Sequence, residues 1–168
     1  MAVTLVRHTT PDVAKGTCYG RTDLALAASF EDELQEVLRR LQPMAHVVTS
    51  PLLRCRTLAE RIAGRDGGVP QREQGWIEMD FGSWEGVPWS EIPRSGLDAW
   101  AADFMGYAAH GGESVTMLEN RVRAALQATP PDSIVVTHSG CIRAVCAILG
   151  LPDGWNTETP FGGIVTLP

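Results

Sequence analysis

The sequence predicts an α/β sandwich around a largely parallel sheet, folded as one domain. Two observations predict it. Short β-branched runs alternate with longer stretches whose apolar residues recur at helical spacing. The 168 residues, 44% hydrophobic and 20% charged, also suffice for a full core without disulfide or metal staples. No internal repeat, linker or low-complexity segment divides the chain.

Residues 3–6 form a compact apolar strand that ends on Arg7 and His8. A loop with Pro and Gly follows over residues 9–26. Phe30, Leu34, Val37, Leu38 and Leu41 then lie on one helical stripe. Ser29, with Asp32 three residues on, reads as its cap. Residues 46–49 make a second strand. Leu53, Leu58 and Ile62 mark a helix that stops near Gly64, before the turn at residues 67–70.

Residues 76–93 are rich in aromatics and acids, among them Trp76, Phe81, Trp84 and Trp89. A helix is expected over 97–107. Gly111-Gly112 breaks the chain, and Ser114 opens a helix carrying Val115, Leu118, Val122, Ala125 and Leu126. Pro130-Pro131 closes it. Residues 133–137 form a third buried strand, and Ser139-Gly140 begin a helix with Ile142, Val145, Cys146 and Leu149 on one face. Gly150 and Pro152 end that helix, and residues 163–167 supply a last strand.

A net charge of -6 excludes a protein that grips nucleic acid over a wide surface. It permits a small arginine pocket inside an acidic shell. No apolar run reaches membrane length, and the amino-terminal stretch becomes charged too early for a leader. Cys18, Cys55, Cys141 and Cys146 have neither C-x-x-C nor zinc-site spacing, so they read as free thiols of a cytoplasmic protein. No motif implies a metal or organic cofactor. Oligomeric state is not encoded in any pattern here.

In an open α/β sheet, ligands gather at the carboxyl ends of the strands. The first strand ends on Arg7-His8, the second on Thr49-Ser50 with Arg54 shortly after, and the third on His138. Four groups able to be cationic therefore converge on one sheet edge. A phosphate dianion satisfies such a cluster, with help from backbone N–H groups where the helix opens at Ser139.

Five segments, in order, make the chain resemble the histidine phosphatase superfamily, which includes the cofactor-dependent phosphoglycerate mutases. They are Leu5-Val6-Arg7-His8-Thr9, the stretch from Ser50-Pro51 through Arg54 to Ala59, the Glu78 to Gly86 segment, Gly111-Gly112-Glu113-Ser114, and Val136-Thr137-His138-Ser139-Gly140. The resemblance implies a three-layer, phosphoglycerate mutase-like sandwich with helices on both faces. Residues 7–12, 18–23 and 79–86 are most similar to the α-ribazole phosphatases of cobalamin biosynthesis.

The resemblance makes His8 the nucleophile, Arg7, Arg54 and His138 the phosphate pocket, and Glu78 the proton donor, with Asp80 and Glu85 as alternative acids. A neutral imidazole attacks phosphorus, and a phosphohistidine splits one hard displacement into two easier ones. The other ring nitrogen should be held by a backbone carbonyl. Glu78 must be protonated when the leaving group departs; Trp76, Asp80 or the phosphate charge could favour that form.

Thr9 stands where the family usually has glycine, and there it either crowds the phosphate or adds a donor. Tyr19 and Arg21 are expected to meet substrate beyond the phosphate, Ser139 to contact the anion, and Glu113 to touch the pocket or charge a helix N-terminus. Trp84 and Trp89 are either core or a lid for a ring-shaped substrate. His46 and His110 are expected to be bystanders. The expected partner is a small phosphorylated substrate. Beside hydrolysis stand two alternatives, a mutase on the same fold and an inactive phosphate-binding module.

Overall fold

A computed structural model describes residues 3–168; Met1 and Ala2, part of the stretch considered for a leader, lie outside the described residues. The elements are β1 (Val3–Arg7), α1 (Phe30–Arg40), β2 (His46–Thr49), α2 (Leu53–Ala63), β3 (Gln71–Arg72), α3 (Arg94–Ala102), α4 (Val115–Ala128), β4 (Ser133–Thr137), α5 (Ser139–Ile148) and β5 (Ile164–Thr166). Their sheet order is β3-β2-β4-β1-β5. All pairs are parallel except β1 with β5. The expected mixed sandwich is thus observed.

The pleat sorts residues to the two faces. Val3 and Leu5 of β1 join Val48 and Val135 under Leu118 and Val122 of α4 and Ile142 and Val145 of α5. Val6, Ile134 and Val136 face the other way, onto Phe30, Leu34 and Val37 of α1 and Leu58 and Ile62 of α2. Helices on both faces make three layers. A third, smaller cluster joins Cys18, Trp84 and Ile92. It belongs to the loop after β1 and to the aromatic segment, which together stand over the carboxyl edge of the sheet.

Several element ends differ from expectation. Ser29 makes no capping bond to the backbone; its hydroxyl donates to Glu33 Oε1 at 2.6 Å, while Glu33 Oε2 accepts from the Thr10 amide at 2.9 Å. The helix start is thereby tied to the loop instead of capped. Helix α3 spans 94–102, not 97–107. It starts directly after Pro93 and stops at Asp103, whose carboxylate accepts from Gly106 N in a turn. Ser114 caps α4 as expected, accepting from Met117 N at 3.2 Å.

No helix among the described residues is long and apolar enough to cross a membrane. The four cysteines are buried and free. Burial pushes the Cys18 and Cys141 thiols up to about 12 and Cys55 well above its usual value.

Candidate active site

The parallel ladder runs one residue past the strands. His8 N donates to Thr137 O at 3.0 Å, and Ser50 N to Val136 O at 3.0 Å. Main-chain bonds therefore seat His8, Ser50 and His138 side by side at the carboxyl edge. The rings of His8 and His138 lie 5.1 Å apart, edge to face. Both are buried, with 2% and 0% exposure.

His8 Nδ1 lies 2.7 Å from Thr9 O. A carbonyl only accepts, so Nδ1 carries the hydrogen and Nε2 keeps its lone pair. Burial, then the positive charge of Arg54, hold His8 well below the ordinary imidazole range; the Thr9 carbonyl opposes them and Arg7 adds to them. His138 is lowered likewise, by burial first, then by Arg54 and His8. Its Nε2 pairs with Ser50 Oγ at 2.7 Å. Of the four groups able to be cationic, the two imidazoles are held neutral at pH 7, and the two guanidiniums hold the charge.

Arg54 stands in the first turn of α2, whose N-terminus is met by Asp23 accepting from Leu53 N at 2.7 Å. Arg54 is fully buried. Nη1 and Nη2 donate to Thr22 O and Gly20 O at 2.8 and 2.6 Å. Arg7 Nη1 donates to Thr159 O at 2.6 Å. The Nε atoms of both arginines are buried with no hydrogen-bond partner among the described residues. Main-chain carbonyls thus fix both guanidiniums and no carboxylate pairs with either among the described residues, so their positive charge is left free to attract an anion.

Glu78 is nearly buried. It accepts from Met79 N at 2.9 Å and, across the site, from Gly140 N at 3.0 Å. Residue 140 must be glycine for this, because a Cβ there would meet Glu78 Oε1 at 2.2 Å. The alternative acids are occupied elsewhere. Asp80 accepts from Gly82 N at 2.8 Å, and Glu85 gathers the amides of Gly20, Arg21 and Phe81 and the Thr22 hydroxyl. Glu85 thus folds the loop that in turn receives Arg54.

A cavity of ≈ 670 Å³ opens over this floor. Arg7, His8, Glu78, Ser139 and Tyr19 face it, and Glu78 is the one carboxylate on its wall. Its other side is aromatic. Phe81, Trp89, Trp100, Phe104 and Trp155 form a continuous run of rings, with neighbouring centroids between 5.6 and 6.1 Å apart. Trp89 is therefore cavity wall, whereas Trp84 is buried core.

Other expectations are redirected. Glu113 does not line the cavity; its carboxylate pairs with Arg121 at 2.6 and 2.8 Å. Arg121 also donates to the carbonyls of Gly75, Ile77 and Glu78, so this pair is a brace beneath the segment that carries Glu78. Arg21 is exposed, 3.8 Å from Glu113, and outside the cavity. Thr9 is fully buried, off the cavity wall, and its hydroxyl has no partner among the described residues.

His46 is exposed at the far end of β2. His110 packs 4.9 Å from Trp84. Arg121, Arg143 and the rings of Trp100, Phe104 and Trp155 were missed from sequence. Of these, Arg143, four residues after Ser139 on α5, was the most findable, because that spacing puts both on one helix face. It lines the cavity and is steadied by donation from Nε to Thr157 O at 3.0 Å.

Residues 3–162 match the family model of the histidine phosphatase superfamily, branch 1. Among solved structures, the chain is similar to TTHB049 from Thermus thermophilus, with 30% identity, a TM-score of 0.84, and coverage of 100% of this chain and 93% of that one. It is also similar to a phosphoglycerate mutase from Thermus thermophilus, with 30% identity, a TM-score of 0.81, and coverage of 99% and 92%. A mycobacterial protein called hydrolase 2 shows 26% identity, a TM-score of 0.82, and coverage of 98% and 80%. No curated protein matches the chain.

Proposed function

The chain belongs to the histidine phosphatase superfamily, and from that premise we propose that it is a phosphatase that hydrolyses a small phosphate monoester through a phosphohistidine on His8. The observation that carries the reading is the joint state of the site. A neutral imidazole, its Nδ1 hydrogen fixed on Thr9 O, stands beside two arginines that pair with no carboxylate among the described residues, and it shares one cavity with Arg7 and Glu78.

In the proposed reaction His8 Nε2 attacks phosphorus as the bond from phosphorus to the leaving oxygen breaks. Glu78 gives its proton to that oxygen. Water then attacks the phosphohistidine, Glu78 takes the water proton, and the bond from nitrogen to phosphorus breaks to regenerate His8. Arg7, Arg54 and His138 stabilise charge on the phosphoryl oxygens, the main source of catalysis in such transfers. General acid–base help from Glu78 is worth about 10² to 10⁴ in rate. No step calls on a metal.

The aromatic wall favours a leaving group with a flat ring, since stacking and edge contacts reward one. α-Ribazole 5′-phosphate has such a group and is our leading candidate, with a cytoplasmic location and a place in cobalamin biosynthesis following from it. Mutase activity is the second reading, favoured by the similarity to a phosphoglycerate mutase.

One experiment separates these readings. The protein is incubated with p-nitrophenyl phosphate in EDTA, with 3-phosphoglycerate, and with α-ribazole phosphate. Steady phosphate release and an acid-labile phosphoenzyme support hydrolysis. Isomerised phosphoglycerate without release would assign a mutase, and binding without turnover an inactive phosphate module.

A further inference from the structure

Phe161 is 38% exposed, yet its ring lies 4.0 Å from Arg7 Cζ and 5.6 Å from the His8 ring. The turn that carries it is bound to Arg7 and His8 at three points. Gly162 N donates to His8 O at 3.1 Å, Arg7 N to Gly163 O at 2.9 Å, and Arg7 Nη1 to Thr159 O. One edge of the guanidinium is thus gripped by a carbonyl and one face by a ring. Arg7 forms no ion pair with a carboxylate among the described residues.

That combination has a physical logic. A carboxylate beside Arg7 would steady the cation but repel an incoming phosphate. An aromatic face attracts a cation through its quadrupole and carries no net charge. It can therefore hold Arg7 in place without competing for the anion. Burial already lowers Arg7, with Tyr19 and Glu78 opposing, so the guanidinium gains from such a neighbour.

We propose that Phe161 is a positioning residue whose π face holds the Arg7 guanidinium at the cavity wall, where it meets the phosphoryl group. The proposal rests on the phosphatase reading of the same site. Phe161 does not line the large cavity, so its effect is independent of the leaving group.

The test compares Phe161→Leu and Phe161→Tyr with the parent protein. Leucine keeps apolar bulk and removes the ring; tyrosine keeps the ring. Calorimetry reads inorganic phosphate affinity, and kinetics reads kcat/KM for p-nitrophenyl phosphate and for a small alkyl phosphate. The leucine variant should bind phosphate about 3- to 30-fold more weakly and lose kcat/KM by a similar factor on both esters. The tyrosine variant should stay near the parent.

A leucine variant equal to the parent, or a tyrosine variant as impaired as leucine, overturns the proposal. Melting temperatures confirm that each variant folds. A parent that binds phosphate without turnover refutes hydrolysis alone, and the affinities still decide the role of Phe161. A parent that binds no phosphate refutes both.

Discussion

Replacing Gly140 by alanine separates the position of Glu78 from the stability of the fold. The added Cβ would stand 2.2 Å from Glu78 Oε1. Ordinary contact begins more than 1 Å farther out, so the carboxyl group must retreat by about that distance and lose its bond from Gly140 N. The atom displaced is the free end of a side chain, which moves cheaply, and alanine in a helix gains up to about 1 kcal/mol over glycine.

Thermal stability should therefore hold or rise. Catalysis should not. A misplacement of about 1 Å can cost roughly 10²-fold in rate, and loss of the acid about 10² to 10⁴-fold. The expected result is a fall of about 10²-fold or more in kcat/KM on an alkyl phosphate, the constant that reads leaving-group departure apart from the later hydrolysis common to all esters. The fall should be much smaller on p-nitrophenyl phosphate, whose leaving group departs without a proton. Glu78→Gln should reproduce the pattern. Equal losses on both esters, or full turnover on the alkyl ester, would refute the assignment of Glu78 as acid.

His8→Ala should abolish turnover and the acid-labile phosphoenzyme while leaving the circular dichroism spectrum unchanged. Arg121→Met strands the buried Glu113 charge and frees three carbonyls, so urea unfolding should show a loss of about 3 kcal/mol, partly recovered by adding Glu113→Gln. His8 and His138 are both depressed in the folded state, so the unfolded chain binds protons more readily. Their contribution to stability is complete above roughly pH 6.5. It is lost as pH falls from there towards the folded values, by up to about 1.4 kcal/mol per histidine per pH unit. Denaturation followed between pH 7.5 and 5 in phosphate-free buffer checks this, and stability that is flat over that range contradicts it.

The strand ends were legible because one backbone rule places them. Apolar runs stop where polar chemistry begins, and parallel pairing brings those stops to one edge. Strand β3 was not legible: Gln71 and Arg72 are exposed, carry no alternation, and are extended only because they pair with Val48 and Thr49. Of the two places expected for Glu113, the pocket was not the one taken, for a related reason. Its partner Arg121 lies two turns along α4 and chooses the carbonyls of residues 75, 77 and 78, which no side-chain pattern announces. A neutral imidazole at His8 was expected from the chemistry of nucleophilic attack, whereas its cause, burial beside Arg54, is tertiary and no residue type announces it. The wall formed by Trp100, Phe104 and Trp155 depends on where α3 and the loop after α5 come to rest, so no sequence pattern singled its members out.

His8 and Ser50 hang on main-chain bonds to β4, and the centroids of the two edge-to-face imidazoles lie 5.1 Å apart, close to the spacing of neighbouring strands. The sheet acts as a ruler: the interval between the two imidazoles is measured by the peptide backbone, which mutation of side chains leaves untouched. Side chains of the surrounding shell can then be exchanged while the interval at the centre stays the same.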